Sequence, residues 1–385
     1  MGQSVRSELF IVVLLVWGLV GGEAARGGFV LGEPTKLPGI GLSDAGYPQI
    51  SRDGLELYFA HDASKSGGAC SDIWVMKRPS IQEAWSDPIR LDASVNSAWA
   101  EQSPAISPNG LELYFSDAVH TIHTSCQPHP DGYGKGDLWV ARRASKQDPW
   151  GTPENLGPAV NSSQNDDCPS LSADGLSLFF QSDRSGGQGW FDLYVSTRPS
   201  LDAPWEAPEN LEWPVNTHND ETTPFLSPDG LSLYFSVAVR SWSSATYVSS
   251  MYVSHRETVS NPWEPPRLFA PVQIPGLEYC VSFSEKDSAL YFTNGSDFFQ
   301  PFALWKVDVT RVLDFNEDGL VDESDAFSLV LNWGPAASPI AGEYPLYDIA
   351  PFPCGDGVVD AKDLLVLAEY MTDNPVEEVD DALRR

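Results

Sequence analysis

A run of oxygen-bearing side chains near the C-terminus has the spacing of a calcium loop. Between residues 314 and 325 these side chains fall at loop positions 1, 3, 5, 9 and 12, and Gly319 at position 6 allows a sharp turn. A backbone carbonyl is expected at position 7. The predicted ligands are Asp314, Asn316, Asp318, Leu320, Asp322 and Asp325. Calcium prefers a shell of about six to eight oxygens, so this stretch predicts a calcium site, and a helix is expected over 324–332.

A second copy of this loop follows with an interrupted front half. Residues 356–363 supply positions 5 to 12, and a helix is expected over 362–371. Extra residues around 351–354 precede it, and Ala350 stands where a polar third ligand would be. The predicted ligands are Asp348, Asp356, Val358, Asp360 and Asp363. The insertion leaves the affinity of this second site open.

Duplicated loops that each precede one helix and end in Asp resemble type I dockerin domains, over about residues 311–373. The resemblance implies a small all-α module that calcium folds and that binds a cohesin-like protein or scaffold. In that family, loop positions 10 and 11 determine partner specificity. They are Glu323-Ser324 in one copy and Ala361-Lys362 in the other, so a two-fold symmetric binding mode is not expected. The acidic tail, 374–385, is predicted to be disordered.

Three carboxylates earlier in the chain occupy the same place in a repeat. Glu101, Asp166 and Glu221 each lie three residues before a proline. They are the candidate catalytic residues, because a glycoside hydrolase needs an acid of raised pKa and an ionised partner about 5–10 Å apart. Glu278 holds the equivalent place in the fifth copy, and in the first copy Ala45 does, with Asp44 just before it. Recurrence in nearly every copy favours a structural role or cation binding over catalysis.

The repeat that carries these acids predicts a β-propeller. An Asp-Gly or Asn-Gly turn between alternating apolar strands places glycine at 54, 110, 175 and 230, and a degenerate fifth copy has Ser288 there. A period of about 55 to 65 residues with three or four strands per unit is typical of propeller blades. A Trp-x-x-Pro sequence, first seen at 85–88, is assigned to the fourth strand, since an edge strand tolerates proline.

The two ends of the repeat region predict how the ring closes. The fifth unit lacks the Trp-x-x-Pro strand, while residues 29–37 resemble that strand alone, so the N-terminal strand should complete the last blade. The predicted fold is an all-β propeller of five four-stranded blades over 27–310, with six blades as the alternative, plus the all-α module. The motif at 169–195 resembles TolB-type propeller repeats, a family whose members include binding modules, accessory proteins and enzyme-attached propellers.

Two other features could carry chemistry. The loop 117–132 of the second repeat holds three of the six histidines, so a metal or ligand site and an expanded surface loop are both open. The chain has five cysteines, and a disulfide between Cys70 and Cys126 is one pairing that an oxidising compartment would permit.

Composition limits the function classes. A formal net charge of −31 argues against binding to nucleic acid or to an anionic membrane. An apolar run over 9–20 behind Arg6 predicts a signal peptide at 1–24, with an uncleaved anchor as the alternative, and no later stretch could span a membrane.

Together these features predict a secreted, extracytoplasmic or cell-surface modular protein linked to polysaccharide catabolism. Its propeller would recognise a carbohydrate or protein ligand while its calcium-dependent module provides a tether. The alternative is a glycoside hydrolase with its active site in the propeller channel.

Overall fold

The computed structural model describes residues 29–32, 34–37, 45–61, 70–117, 129–240, 247–269, 279–294, 303–311, 334–335 and 358–359. These ranges consist of strands and turns, and they contain no helix. It follows that no helix in them has the length and apolar character that a membrane crossing requires. The predicted helices at 324–332 and 362–371 lie outside the described residues, as do the predicted signal peptide and the acidic tail.

The strands follow one another in groups of four after two short N-terminal strands, β1 (Phe29–Leu31) and β2 (Thr35–Lys36). Blade 1 contains β3 (Ala45–Ile50), β4 (Glu56–His61), β5 (Asp72–Lys77) and β6 (Ile89–Arg90). Blade 2 contains β7 (Gln102–Ile106), β8 (Glu112–Ser116), β9 (Leu138–Arg142) and β10 (Glu154–Asn155). Blade 3 contains β11 (Asp166–Leu171), β12 (Ser177–Ser182), β13 (Asp192–Thr197) and β14 (Glu209–Asn210).

Blade 4 contains β15 (Asp220–Leu226), β16 (Ser232–Arg240), β17 (Tyr247–His255) and β18 (Arg267–Leu268). Blade 5 contributes β19 (Tyr279–Ser284), β20 (Ala289–Asn294) and β21 (Ala303–Arg311). A separate antiparallel pair joins β22 (Gly334–Pro335) to β23 (Val358–Val359).

Within each blade the strands pair antiparallel in chain order, from the first strand to the fourth. Each first strand also contacts the first strands of both neighbouring blades, in the cyclic order β3, β7, β11, β15, β19 and back to β3. This cycle makes the ring, so the predicted all-β propeller of five blades is confirmed.

The N-terminal strands complete the fifth blade. Strand β2 pairs antiparallel with β21, with Thr35 opposite Lys306 and Lys36 opposite Trp305. Strand β1 also pairs antiparallel with β21, with Phe29 opposite Arg311. The predicted closure by the N-terminal strand is confirmed, and it covers the edge that β21 would otherwise expose.

The fourth strands differ from the sequence prediction. The Trp-x-x-Pro sequence does not lie within the strand; each fourth strand is the pair of residues that follows the proline, as in Ile89–Arg90 after Pro88. Proline has no N–H to donate to a neighbouring strand, so sheet pairing starts only beyond it. The tryptophan instead has a role between blades.

The Asp-Gly turns have the backbone that the sequence predicts. The glycines at 54, 110, 175 and 230 have φ between 72° and 75°, and Ser288 in the fifth copy has φ 44°. In the first turn the Asp53 carboxylate accepts a hydrogen bond from the Leu55 amide at 3.1 Å. Glycine occupies these turns because a Cβ strains this left-handed conformation.

The core lies between the blades rather than in one central mass. Each of five clusters of buried apolar side chains joins two adjacent blades. Between blades 1 and 2, for example, Tyr58 and Val75 pack with Ile106 and Trp139. Each blade is therefore stabilised by burial against both neighbours.

A buried arginine joins three pairs of neighbouring blades. Each arginine follows a third strand, and its Nε donates to the turn-glycine carbonyl of its own blade at 2.6–2.8 Å. A second guanidinium nitrogen binds a carboxylate of the preceding blade at 2.6–2.8 Å. The three ion pairs are Arg78 with Asp287, Arg143 with Glu56, and Arg198 with Glu112.

Two aromatic rings complete each of these clusters. In the cluster of Arg143 the guanidinium lies 4.3 Å from the centroid of Trp150, the tryptophan of the Trp-x-x-Pro sequence. The Trp150 ring meets Tyr58 of the preceding blade edge-on, and the Tyr58 hydroxyl donates to Glu56 at 3.0 Å. Burial opposes ionisation of Glu56, but hydrogen bonds from Arg143 and Lys77 outweigh it and lower the pKa of this carboxyl. We call each such set an interblade arginine cluster.

The boundary between blades 3 and 4 has the arginine without its anion. Arg256 donates to the Gly230 carbonyl at 2.8 Å and lies 4.2 Å from the centroid of Trp263. The positions of the carboxylate and the tyrosine are held by Ser177 and Phe179. Among the described residues Arg256 forms no ion pair, and burial lowers the pKa of its guanidinium although the charge of Asp229 opposes this.

Completing this fourth cluster should stabilise the ring. We expect the double variant Ser177→Glu, Phe179→Tyr to raise the free energy of unfolding by about 1 kcal/mol, since a carboxylate would compensate a cation that is already partly desolvated. Chemical denaturation at pH 7 measures the effect. The control is Ser177→Gln with Phe179→Tyr, which has the same volume without the charge, and equal stability of the two variants would contradict the expectation.

Candidate functional site

One end of the ring lies opposite the Asp-Gly turns. It is formed by the connections from the fourth strand of one blade to the first strand of the next, and by the loops between the second and third strands within each blade. We call it the loop face, and its described parts are residues 91–101, 129–136, 156–165, 183–191 and 211–219. The three candidate carboxylates lie at the inner edge of this face, where the first strands begin.

Glu101, Asp166 and Glu221 are almost completely buried, with exposures of 3%, 0% and 0%. Each carboxylate accepts a hydrogen bond from the backbone N–H four residues before it, at 2.6–3.0 Å. Their own backbone N–H groups each donate to the carbonyl just before a third strand of the preceding blade, at 2.9 Å. All three acids therefore hold a connecting loop against the neighbouring blade.

The remaining contacts of these acids differ. Asp166 forms an ion pair with Arg184 at 2.6 Å. Glu221 also accepts from the Thr217 hydroxyl at 2.5 Å. Glu101 accepts from the Ser97 hydroxyl through Oε1, while its Oε2 has no hydrogen-bond partner among the described residues.

Burial shifts the titration of two of the acids. It raises the pKa of Glu101 to about 8, with Asp72 and Asp117 adding to the increase and the hydrogen bonds from Ser97 opposing it. Burial also raises the pKa of Glu221 to about 7, against the hydrogen bonds from Thr217. Glu101 is consequently protonated in the folded protein at neutral pH.

The central channel is lined by a different set of residues. One residue per blade has a positive φ at a bulge in the first strand, and four of these five precede a proline. They are Tyr47, Ser103, Cys168, Thr223 and Cys280. The space among them is about 30 Å³, room for about one or two water molecules. The three candidate carboxylates are not among the residues that line it.

The channel cysteines are inert thiols. Cys168 and Cys280 are both free, and burial raises the pKa of each thiol well above its ordinary value. The Cys168 sulfur lies 3.4 Å from the Ser103 hydroxyl of the preceding blade. Cys70 is disulfide-bonded, and the predicted partner, Cys126, lies outside the described residues.

A repeated asparagine, which the sequence analysis missed, positions the same loops. Asn96, Asn161 and Asn216 each accept from the backbone N–H and donate to the carbonyl of one residue in a third strand, at 2.8–3.0 Å. The signal was available, because Val-Asn-Ser or Val-Asn-Thr ends four residues before each candidate acid.

An aspartate at the start of the third strand holds the loop that precedes it. Asp192 accepts from the amides of Gln188 and Gly189 at 2.8 and 2.9 Å, and Asp137 plays the same part in blade 2. A Cβ on Gly189 would collide with the carbonyl oxygen of Asn219 in the next connecting loop. Glycine at this position lets the two loops meet backbone to backbone.

Large aromatic side chains stand out from this well-packed loop face. Trp213, Tyr133 and Trp190 have exposures of 72%, 55% and 52%. In the histidine-rich loop of blade 2, the ring centroid of His129 lies 4.6 Å from that of Trp139 and 6.3 Å from that of Trp99. The other histidines of that loop lie outside the described residues.

The calcium ligands predicted at 314–363 lie outside the described residues, except Val358, which pairs with Pro335 in β23 and β22. In the ranges that the structure describes, no group of three or more His, Cys, Asp or Glu side chains is placed to hold a metal ion.

No protein-family model matches this sequence, and no curated protein matches it either. Solved structures that it resembles include a putative TolB from Agrobacterium tumefaciens, with 17% identity over 70% of this chain and 78% of that chain and a TM-score of 0.40. An alpha-L-arabinofuranosidase from Podospora anserina in complex with cellotriose has 11% identity over 74% and 98%, with a TM-score of 0.44. A thermostable family-43 glycoside hydrolase has 15% identity over 74% and 94%, with a TM-score of 0.47. At these values the fold assignment rests on the sheet topology, and no activity is transferred.

The raised pKa of Glu101 predicts a pH-dependent stability. The folded protein keeps the Glu101 proton up to about pH 8, whereas an ordinary glutamate releases it near 4.5. Between these values the native state binds more protons than the unfolded state, so its free energy of unfolding falls as pH rises. Glu101→Gln should flatten this fall, as measured by chemical denaturation at pH 5, 6, 7 and 8.

Glu221→Gln is the matched control for that experiment. Its effect should be confined to a lower pH range, because the pKa of Glu221 is raised only to about 7. A Glu101→Gln variant whose stability follows the wild-type pH profile would contradict the assignment of a retained proton to Glu101.

Proposed function

We propose that this protein is a secreted glycan-recognition module that does not hydrolyse its ligand. The observation that carries the proposal is the burial of the three candidate acids, each of which holds a connecting loop through its carboxylate. On the same face, three large aromatic side chains are exposed. A scaffold whose acids are buried in hydrogen bonds to its own loops, and whose aromatic rings face solvent, suits binding better than bond cleavage.

Hydrolysis makes demands that these acids meet poorly. Both carboxyl groups of a glycosidase must reach the scissile bond, one as an acid and one as an ionised partner. Asp166 is fully buried and bound to Arg184, while Glu101 and Glu221 are turned into their own loops.

A glycoside hydrolase is nevertheless a second candidate, and one observation favours it. Glu101 combines a pKa of about 8 with a carboxyl oxygen that has no described partner. A protonated carboxylic acid at neutral pH is what a general acid requires.

One experiment distinguishes the two candidates. The purified full chain is run through native gels that contain hydroxyethylcellulose, arabinoxylan, galactomannan or polygalacturonate, and parallel incubations are assayed for new reducing ends. We expect retardation by at least one polysaccharide and no release of reducing ends.

The control variants for this experiment are Glu101→Gln and Glu221→Gln. Reducing ends that appear with the wild type and disappear with either variant would replace the binding proposal by the hydrolase. A chain that is neither retarded nor active on this panel would overturn both.

We further propose that the C-terminal region is a calcium-dependent tether to a cohesin-like protein on a scaffold or cell surface, in keeping with a role in polysaccharide catabolism. Its support is the ligand spacing at 314–325 and its imperfect repeat at 356–363. Such a tether would hold the propeller beside its polysaccharide, where even a weak interaction becomes effective through high local concentration.

Calcium titration of the full chain tests this tether. We expect calorimetry to show two bound ions and circular dichroism to show a gain of helix, because calcium organises the loops from which the predicted helices start. Asp318→Ala and Asp356→Ala occupy position 5 of the two loops and form a matched pair, so each should remove one ion. No calcium binding by the wild type would eliminate the proposed tether.

A further inference from the structure

Trp190 is held rigidly and yet half of it faces solvent. It lies in the loop between β12 and β13 with 52% exposure. Its ring is stacked on Phe191, with 6.3 Å between centroids and 8° between planes. Its indole Nε1 donates to Asp183 at 3.2 Å, and its backbone N–H donates to Asp220 of the next blade at 3.0 Å. A ring that served only to fill space would not need this set of contacts.

The partners of Trp190 are themselves fixed. The Asp183 carboxylate accepts from the backbone and side-chain amides of Asn165 at 2.6 and 3.0 Å. The adjacent Gly189 sits directly against the carbonyl of Asn219. The position of Trp190 is therefore set before any ligand arrives, by groups of blade 3, of the connection that leads into it and of the start of blade 4, which reduces the entropy lost on binding.

Trp213 is exposed on the neighbouring loop. It has 72% exposure and lies in the connection between β14 and β15. This connection is tied down on both sides of Trp213, since the Leu211 amide donates to Leu193 at 3.0 Å and the Asn216 amide donates to Glu212 at 2.7 Å. The same connection continues to Asp220, which holds the Trp190 loop. Both tryptophans consequently stand at the boundary of blades 3 and 4.

The chemistry of this pair points to sugar rings without charge. A flat indole offers a large apolar face at little conformational cost and stacks on the C–H face of a sugar. Glu212 and His218 are exposed polar residues of the same connection as Trp213 and can bind hydroxyl groups. Nucleic-acid bases also stack on tryptophan, but a chain of net charge −31 repels polyanions, and the same repulsion disfavours uronic-acid polysaccharides.

We propose that Trp190 and Trp213 form the binding platform for a neutral polysaccharide at the boundary of blades 3 and 4. This inference rests on the proposed function and assigns its ligand class and its residues. The ligand would bind on the loop face, away from the narrow central channel.

The test uses affinity electrophoresis of the full chain and its variants against each neutral polysaccharide that retards the wild type. We expect Trp190→Ala and Trp213→Ala each to weaken binding by about tenfold or more, and Trp190→Phe to retain part of it. Leu201→Ala is the control, because it removes an apolar side chain of 47% exposure from the opposite end of the ring. Near-ultraviolet circular dichroism confirms that each variant is folded.

The outcomes separate this inference from the function on which it rests. Neutral polysaccharides that bind the wild type and both alanine variants equally would overturn the platform and leave the proposed function standing. Polygalacturonate binding as tight as that of the neutral chains would overturn the assigned ligand class. Failure of the wild type to bind any member of the panel would overturn the proposed function and the platform together.

Discussion

The ring depends on arginines that are buried between blades and cannot lose their charge. A guanidinium remains protonated at any ordinary pH, so its removal from water is costly unless an anion lies nearby. In three interblade arginine clusters that anion comes from the preceding blade, while the turn-glycine carbonyl comes from the arginine's own blade. Each arginine thereby fixes one blade against the next in position and angle, a result that non-directional apolar packing alone does not give.

At the other end of the blades, the loop face is likewise held in place by buried polar groups. An asparagine holds the third strand, an acid holds the connecting loop, and an aspartate holds the loop before the third strand. These polar groups recur because each blade must satisfy the same buried backbone groups. The candidate acids belong to this set. The burial of all three, and the raised pKa values of Glu101 and Glu221, follow from their place in the scaffold, so a shifted pKa here does not by itself indicate catalysis.

Most of the fold could be predicted from the sequence, because its signals are local. Five blades are predicted from the Asp-Gly turns and the alternating strands, and the closure of the ring is predicted from the strand at 29–37. Both predictions are confirmed. The Trp-x-x-Pro sequence was wrongly placed within the fourth strand, since the partners of Trp150 are Arg143 and a tyrosine of another blade. The roles of the acids depended on partners such as Arg184 and on burial, which no local pattern reveals. The chain has thirteen tryptophans, and only the three-dimensional structure distinguishes the exposed ones from the buried ones.

Residues that recur from blade to blade differ in role from residues that occur in one blade alone. Positions that carry the same chemistry in several blades, such as Asn96, Asn161 and Asn216, are explained by the needs of the repeat. Trp190 does not fit that explanation, because blade 2 has Lys135 at the corresponding place in its loop. In both blades the aspartate that starts the third strand holds the end of this loop through the same two backbone amides, so that arrangement did not require a tryptophan there. An aromatic ring that the scaffold does not need, fixed by contacts and left half exposed, is best explained by a ligand outside the chain.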